Sequence, residues 1–245
     1  MTFWDHLDVL RSLLLRCLAL TMALAVVVFC FREEIFTVIL APQHTDFITY
    51  RLFAAIGSPV DDFHVSLINT SLARQFIVHM QVSMAVGLMI ASPWLVFEVL
   101  RFVLPALYTH ERRAAIPVFA GGYLMFLVGI AVSYFVIFPL TFRFLGTYQV
   151  SSDIPNYISL SSYISTLCSM SLALGLVFEL PVVCWILGRL GVLHAPMLRS
   201  VRRQAVVVIL VVSALITPTG DAFTLMLVSL PVWVLYEISI LLLPK

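Results

Sequence analysis

The acids of this sequence stand where acids are costly. In LYTHERRAAIP, residues 107–117, Glu111 sits between His110 and the pair Arg112 and Arg113, with long apolar runs on both sides. In GLVFELPVV, residues 175–183, Glu179 lies well inside an apolar run, two positions before Pro181. A carboxylate accepts a planar guanidinium bidentately, which no neutral side chain does as well. Adjacent residues of a helix point about 100° apart, so Glu111 does not face its own arginines and is free to bind a cation from elsewhere. The plain alternative is a surface acid at a helix N-terminus, stabilised by the dipole. Glu179, if charged at that depth, costs at least about 2.5 kcal/mol. It reads either as a residue bonded to a neighbouring helix, or as a polar contact for another helix or a transport path. Pro181 frees the carbonyl of Val177 and makes the local backbone polar as well.

Other chemistries fail on residue type or spacing. HERRA opens like H-E-x-x-H, but Ala114 stands where the second zinc ligand must be. His6, His44, His64, His79 and His194 show no ligand spacing, so no metal is expected. Cys17, Cys30, Cys168 and Cys184 lie in apolar runs without a C-x-x-C pair and read as small membrane-buried side chains. Pro218 to Asp221 resembles part of an intramembrane aspartyl protease motif, but Pro218 replaces a glycine and no Tyr-Asp partner exists. Neither a G-x-S-x-G elbow nor a P-loop is present. No enzyme activity and no cofactor are expected. A net charge of +1 gives no electrostatic case for a nucleic-acid partner.

The elements that must position these acids are membrane helices. Of the 245 residues 62% are hydrophobic and 11% charged, with a mean hydropathy of +1.07. A soluble domain carries about 25% charged residues, so the chain reads as a polytopic membrane protein. A span needs roughly 20 apolar residues. Runs near 12–31, 76–97, 114–138 and 160–188 qualify, and a close pair near 204–217 and 222–243 flanks a TPTGD turn. Each member of that pair offers about 14 apolar residues, roughly 21 Å as a helix. Such a pair either thins the bilayer or forms a re-entrant hairpin. Six crossings put both termini on one side, together with Arg11, Arg16, Arg101, Arg112, Arg113, Arg189, Arg199, Arg202, Arg203 and Lys245. Only Arg32, Arg51, Arg74 and Arg143 fall on the other side, so the first side is cytoplasmic. No cleavable signal peptide, internal repeat or linker is read, and residues 1–245 form one domain. The first outer loop, about 32–75, holds REEIFTVILAP, a short amphipathic helix stopped at Pro42. Prolines at 93, 105, 117, 139, 181 and 231 bend the helices and favour a concave bundle.

Five blocks, FWDHLDVLR, RFVLPALYTHERR, SYFVIFPLTFRFL, GLVFELPV and ITPTGDAF, run in order along the chain and together resemble the TatC family. That resemblance implies six transmembrane helices in a glove-like bundle, the last two short, in the cell inner membrane with both termini cytoplasmic. It implies a receptor for twin-arginine signal peptides that recruits single-span TatA- and TatB-like partners, self-associates, and exports folded proteins using the proton gradient. Glu111 matches the acid that receives the twin arginines, and Phe102 and Pro105 match its neighbours. Glu179, Pro42 and Asp221 match positions of partner contact. The sequence departs from the family pattern at Val9, where a glutamate is usual, at Glu98, often glutamine, and at Leu225, often glutamine. Two guanidiniums need more than one carboxylate. Glu98, one helical turn before Phe102 and on the same face, is the expected second acid, with Asp8 as runner-up. The alternative function is a proton- or ion-coupled secondary transporter with Glu179 in the path, for which paired repeats are lacking.

Overall fold

Apolar segments of this length can satisfy their backbone groups in lipid only internally, so they fold as helices. The structure, a computed structural model, describes residues 3–55, 65–103, 112–151, 156–189 and 191–243. In chain order the helices are α1 (Phe3–Cys30), α2 (Arg32–Leu40), α3 (Ile48–Ala55), α4 (Arg74–Val103), α5 (Arg112–Val132), α6 (Phe138–Thr147), α7 (Leu160–Val177), α8 (Leu180–Arg189), α9 (Ala195–Ser200), α10 (Arg202–Ile216) and α11 (Ala222–Leu242). Among the described residues five stretches are long and apolar enough to cross a membrane: Leu7–Cys30, Arg74–Val99, Ala120–Thr147, Leu160–Arg189 and Ala222–Leu242. The chain is an all-helical multi-pass membrane protein. Leu14, Leu15, Leu18 and Val26 of α1 stay exposed, as lipid-facing side chains do. Val82, Ile164, Met170, Leu174 and Val228 are fully buried at the centre of the bundle.

The close pair at the C-terminal end is uneven. Helix α10 has 15 residues, about 22 Å. Helix α11 runs on through Glu237 to Leu242, further than the apolar count alone expects. Arg202 Nη2 lies 2.6 Å from Glu237 Oε2, and Tyr236 donates to the Leu198 carbonyl at 2.7 Å, so the acid is paired and the helix continues. The turn between the two helices places Gly220 at φ +62°, a conformation that a side chain disfavours.

Three prolines show how the bundle absorbs its breaks. A proline cannot donate to the carbonyl four residues before it. Pro93 frees the carbonyl of Met89, and Ser92 Oγ donates to that oxygen at 2.6 Å, so α4 continues. Pro139 frees the carbonyl of Phe135, which accepts from Thr49 Oγ1 of α3. There the chain widens into a π-helical segment, Ser133–Ile137, and α5 and α6 form one long stretch. Pro42 leaves the carbonyl of Val38 without its i+4 donor, and that oxygen accepts from the Ala41 amide and from the Tyr134 hydroxyl. The amphipathic helix expected before Pro42 is α2, closed by a 3₁₀ turn, Ala41–Gln43. Tyr50 donates to the carbonyls of Pro42 and Pro139 at 3.1 and 2.9 Å, and Tyr163 donates to that of Ile39 at 2.9 Å. These hydroxyls pin the first loop to the bundle. A two-stranded parallel ribbon, β1 (Ser66–Ile68) on β2 (Tyr157–Ser159), ties the same end together, with Ser66 opposite Tyr157. No strand was expected there: three residues are too few for a period-2 pattern to register.

Helices α1 and α4 cross tightly. A Cβ on Gly87 would stand 2.8 Å from the Ala25 nitrogen and 2.9 Å from its Cα, so only glycine allows this approach. The crossing sets the distance between the charged residues at the ends of both helices.

Candidate functional site

Asp8, Ser12 and Arg16 recur every fourth residue and so share one face of α1. Glu98 and Arg101 lie near the end of α4. Where the two helices meet they enclose a cavity of about 420 Å³ lined by Asp8, Val9, Ser12, Arg16, Glu98 and Arg101. Glu98 is 2% exposed, and Arg16, 45% exposed, reaches it with Nη2 3.4 Å from Oε2. Arg16 Nε donates to the Ser12 carbonyl at 3.3 Å. Among the described residues two acids and two arginines line the cavity. The two residues expected to compete as second acid thus stand on opposite walls of one space. Phe102 lies in the last turn of α4, where only its backbone is described. Glu111 and Pro105 lie outside the described residues.

Glu179 is not within a helix. The apolar run 160–188 breaks into α7 and α8, and Glu179 occupies the break, with Pro181 in the first turn of α8. Its amide donates to the Leu176 carbonyl at 3.1 Å, and its own carbonyl accepts from Val182 and Val183 at 3.0 Å. The side chain faces a cavity of about 710 Å³ between α4, α5, α7 and α8, with walls that include Ser92, Gly122, Phe126, Leu176 and Ile186. A Cβ on Gly122 would stand 2.8 Å from Glu179 Oε2, so this glycine makes the room that the carboxylate occupies. Glu179 Oε1 is buried without a hydrogen-bond partner among the described residues. A buried acceptor left open in an apolar cavity favours a donor arriving from another molecule.

Asp221 caps α11. Its Oδ1 accepts from the Thr224 amide at 2.7 Å. Burial alone would push this acid up, but the hydrogen bonds from Thr224 and Thr219 outweigh it and hold the carboxyl below the usual aspartate value. Pro42 is buried under the tyrosine contacts. Asp8 and Glu98 are brought together, Glu179 lines a separate cavity, and Pro42 and Asp221 line neither. Arg16 had been read only as a topology anchor, though its position two helical repeats after Asp8 on the same face was a signal. Nothing in the sequence connected Gly122 to Glu179.

The comparisons with known proteins agree with one another. The family model described as Sec-independent protein translocase protein (TatC) matches residues 5–231. The Sec-independent protein translocase protein TatC of Desulforapulum autotrophicum is 34% identical over 239 residues, covering 98% of this chain and 83% of that protein. That of Escherichia coli K12 is 32% identical over 240 residues, covering 96% and 85%. A crystal structure of the twin-arginine translocase receptor TatC in DDM superposes with a TM-score of 0.81 at 32% identity, over 98% of this chain and 100% of that one.

Proposed function

The chain belongs to the TatC family of Sec-independent protein translocase proteins, and from that premise we propose that it is the receptor of a twin-arginine translocase. It takes twin-arginine signal peptides at the ends of α1 and α4, through Glu111 with Glu98 and Asp8, and with Phe102 and Pro105 beside them. It recruits TatA- and TatB-like single-span helices at Glu179, with Pro42 and Asp221 holding the loops beside them. Folded cargo then crosses at the expense of the proton gradient, in complexes that contain more than one copy of the chain. Residues 1–245 act as one domain in the cytoplasmic membrane, with six spans and both termini in the cytoplasm. Helix α10 is the fifth span and α11 the sixth, and at 15 residues α10 requires a locally thinned bilayer.

One observation carries the reading: a desolvated carboxylate, Glu98, on the wall of an open cavity that also holds Asp8. A guanidinium pair is the ligand that such acids bind best, because each planar fork meets a carboxylate bidentately. The experiment places photocrosslinking residues at 101 and 107 in membranes and adds a labelled twin-arginine signal peptide. The expected result is adducts that disappear when the two arginines are replaced by lysines. Equal labelling by the lysine peptide, or none by either, would reject the receptor role.

A further inference from the structure

Glu98 is 2% exposed, and a carboxylate so placed requires a cation. Among the described residues that cation is Arg16, and it holds the acid poorly. The contact is single and 3.4 Å long, where a charge-assisted N–H to carboxylate bond is about 2.7–2.9 Å. One long contact uses little of a carboxylate's capacity, which extends to a full bidentate pair. Arg16 is itself half-exposed and tied to its own helix through Ser12, so it loses only one of its two partners if it lets go. The cavity beside them has a volume of about 420 Å³, and among the described residues that line it Asp8 and Glu98 are matched by Arg16 and Arg101. At these walls a guest arginine therefore has to take the Glu98 carboxylate from Arg16 rather than fill an unpaired acid.

We propose that Arg16 is a resident stand-in for the guest: it occupies the Glu98 carboxylate in the empty receptor and is displaced by an arginine of the incoming peptide. The inference rests on the reading of this cavity as a signal-peptide site and adds its regulation. Displacement sets a threshold. A guest guanidinium that makes two parallel bonds to Glu98 outcompetes a single long one. A guest lysine offers a compact, strongly hydrated point charge without the fork, and gains much less from the exchange. Arg16 in this sense sets an affinity threshold, because every guest must displace it and one that binds Glu98 no better than it does gains nothing by entering. Once displaced, it keeps its bond to the Ser12 carbonyl and moves toward solvent, so the exchange leaves no arginine stranded in the apolar part of α1.

The test is equilibrium binding of a fluorescent twin-arginine signal peptide, and of its twin-lysine counterpart, to the full chain in nanodiscs. Arg16→Gln should bind the arginine peptide about three- to tenfold more tightly than the native chain. It should bind the lysine peptide more tightly by the same factor, because a resident that must be displaced lowers the affinity of every guest for Glu98 alike. Glu98→Gln should weaken binding more than about tenfold, and Arg16→Gln added to it should tighten nothing. Unchanged or weaker binding by Arg16→Gln, in a native chain that does bind, overturns the stand-in and leaves the receptor reading intact. So does equal tightening in the Glu98→Gln background, which would make Arg16 a general repulsive charge. Absence of binding by the native chain and by Arg16→Gln alike rejects the receptor reading and the stand-in with it. Should the glutamine variant fail to fold, Arg16→Lys, a weaker holder of the carboxylate, serves in its place, and native-level affinity in that variant rejects the proposal.

Discussion

Replacing Gly87 by alanine strains the crossing that brings Asp8 and Glu98 into one cavity. The new Cβ would stand 2.8 Å from the Ala25 nitrogen and 2.9 Å from its Cα. Optimal carbon contacts lie at about 3.5–4.0 Å, so the helices are roughly 0.7 Å too close for it. The obstructing atoms are backbone, so no rotamer relieves the clash and α1 and α4 must part. Overpacking of this kind costs about 1–3 kcal/mol. Alanine also favours a helix over glycine by about 1 kcal/mol, which blurs a comparison with the native chain. Gly121 of α5 removes that ambiguity, because a Cβ there meets nothing within 4 Å. Gly121→Ala has the propensity gain alone. Gly87→Ala should therefore be less stable than Gly121→Ala by about 1–3 kcal/mol, a melting difference of roughly 2–12 °C for a chain of this size. Thermal unfolding of both variants in the same detergent reads the difference, and signal-peptide affinity should fall in Gly87→Ala only. Equal melting temperatures, or a more stable Gly87→Ala, would refute the close crossing and its role in placing the two acids.

Three further outcomes are expected. Gly122→Ala should push the Glu179 carboxylate into its cavity and lower crosslinking to a TatA- or TatB-like helix, as Glu179→Ala does, with Glu179→Gln milder because the amide still accepts and donates; unchanged crosslinking in all three removes Glu179 from partner contact. Asp221→Ala should cost about 0.5–2 kcal/mol as a lost helix cap. Because the folded Asp221 carboxyl titrates below its unfolded value, its charge stabilises the fold fully above about pH 4 and loses that effect as pH falls through the lower folded value; the melting difference between the native chain and Asp221→Asn should shrink over that acid range, and a difference that grows on acidification contradicts the assignment. Finally, Glu98→Gln combined with Val9→Glu should regain most of the signal-peptide affinity lost in Glu98→Gln alone, and failure to regain any would mean that the two walls of the cavity are not equivalent.

What was legible in the sequence followed from chemistry that acts locally. The apolar runs, the helix before Pro42 and the depth of Glu179 need only residue type and spacing. Pairings between distant residues were not legible. Thr49 filling the Phe135 carbonyl, or Tyr134 filling that of Val38, joins positions far apart in the chain. A sequence shows that Pro139 and Pro42 each free an oxygen but not which hydroxyl arrives there. The same limit hid the Gly122–Glu179 contact and the Arg16–Glu98 pair. It also hid the true setting of Glu179, since a continuous apolar run concealed the turn between α7 and α8 in which it sits. The run 222–243 matches α11, but as a sequence it offers only about 14 apolar residues; the Arg202 partner that pairs Glu237 and lets the helix continue comes from a distant position.

The cavity between α1 and α4 gives a physical sense to the two departures from the family pattern near it. Val9 stands where that pattern has a glutamate, and Glu98 where it often has a glutamine. Both line the same 420 Å³ space, from opposite helices. The acid has changed walls without leaving the cavity, and a guest between the walls meets the same number of carboxylates. The change has a consequence on α4. An acid near the start of α1, beside Asp8, lies toward the exposed end of its helix, whereas Glu98 is 2% exposed. A buried acid without a cation is strongly destabilising, so moving the charge to this wall brings a need for a basic residue within reach in the empty receptor. Arg16 meets that need from the facing helix, and it does so with a contact loose enough to be exchanged. On this argument Arg16 and Glu98 form one unit with Val9. The arginine keeps the relocated acid paired until a guest with a better guanidinium takes its place.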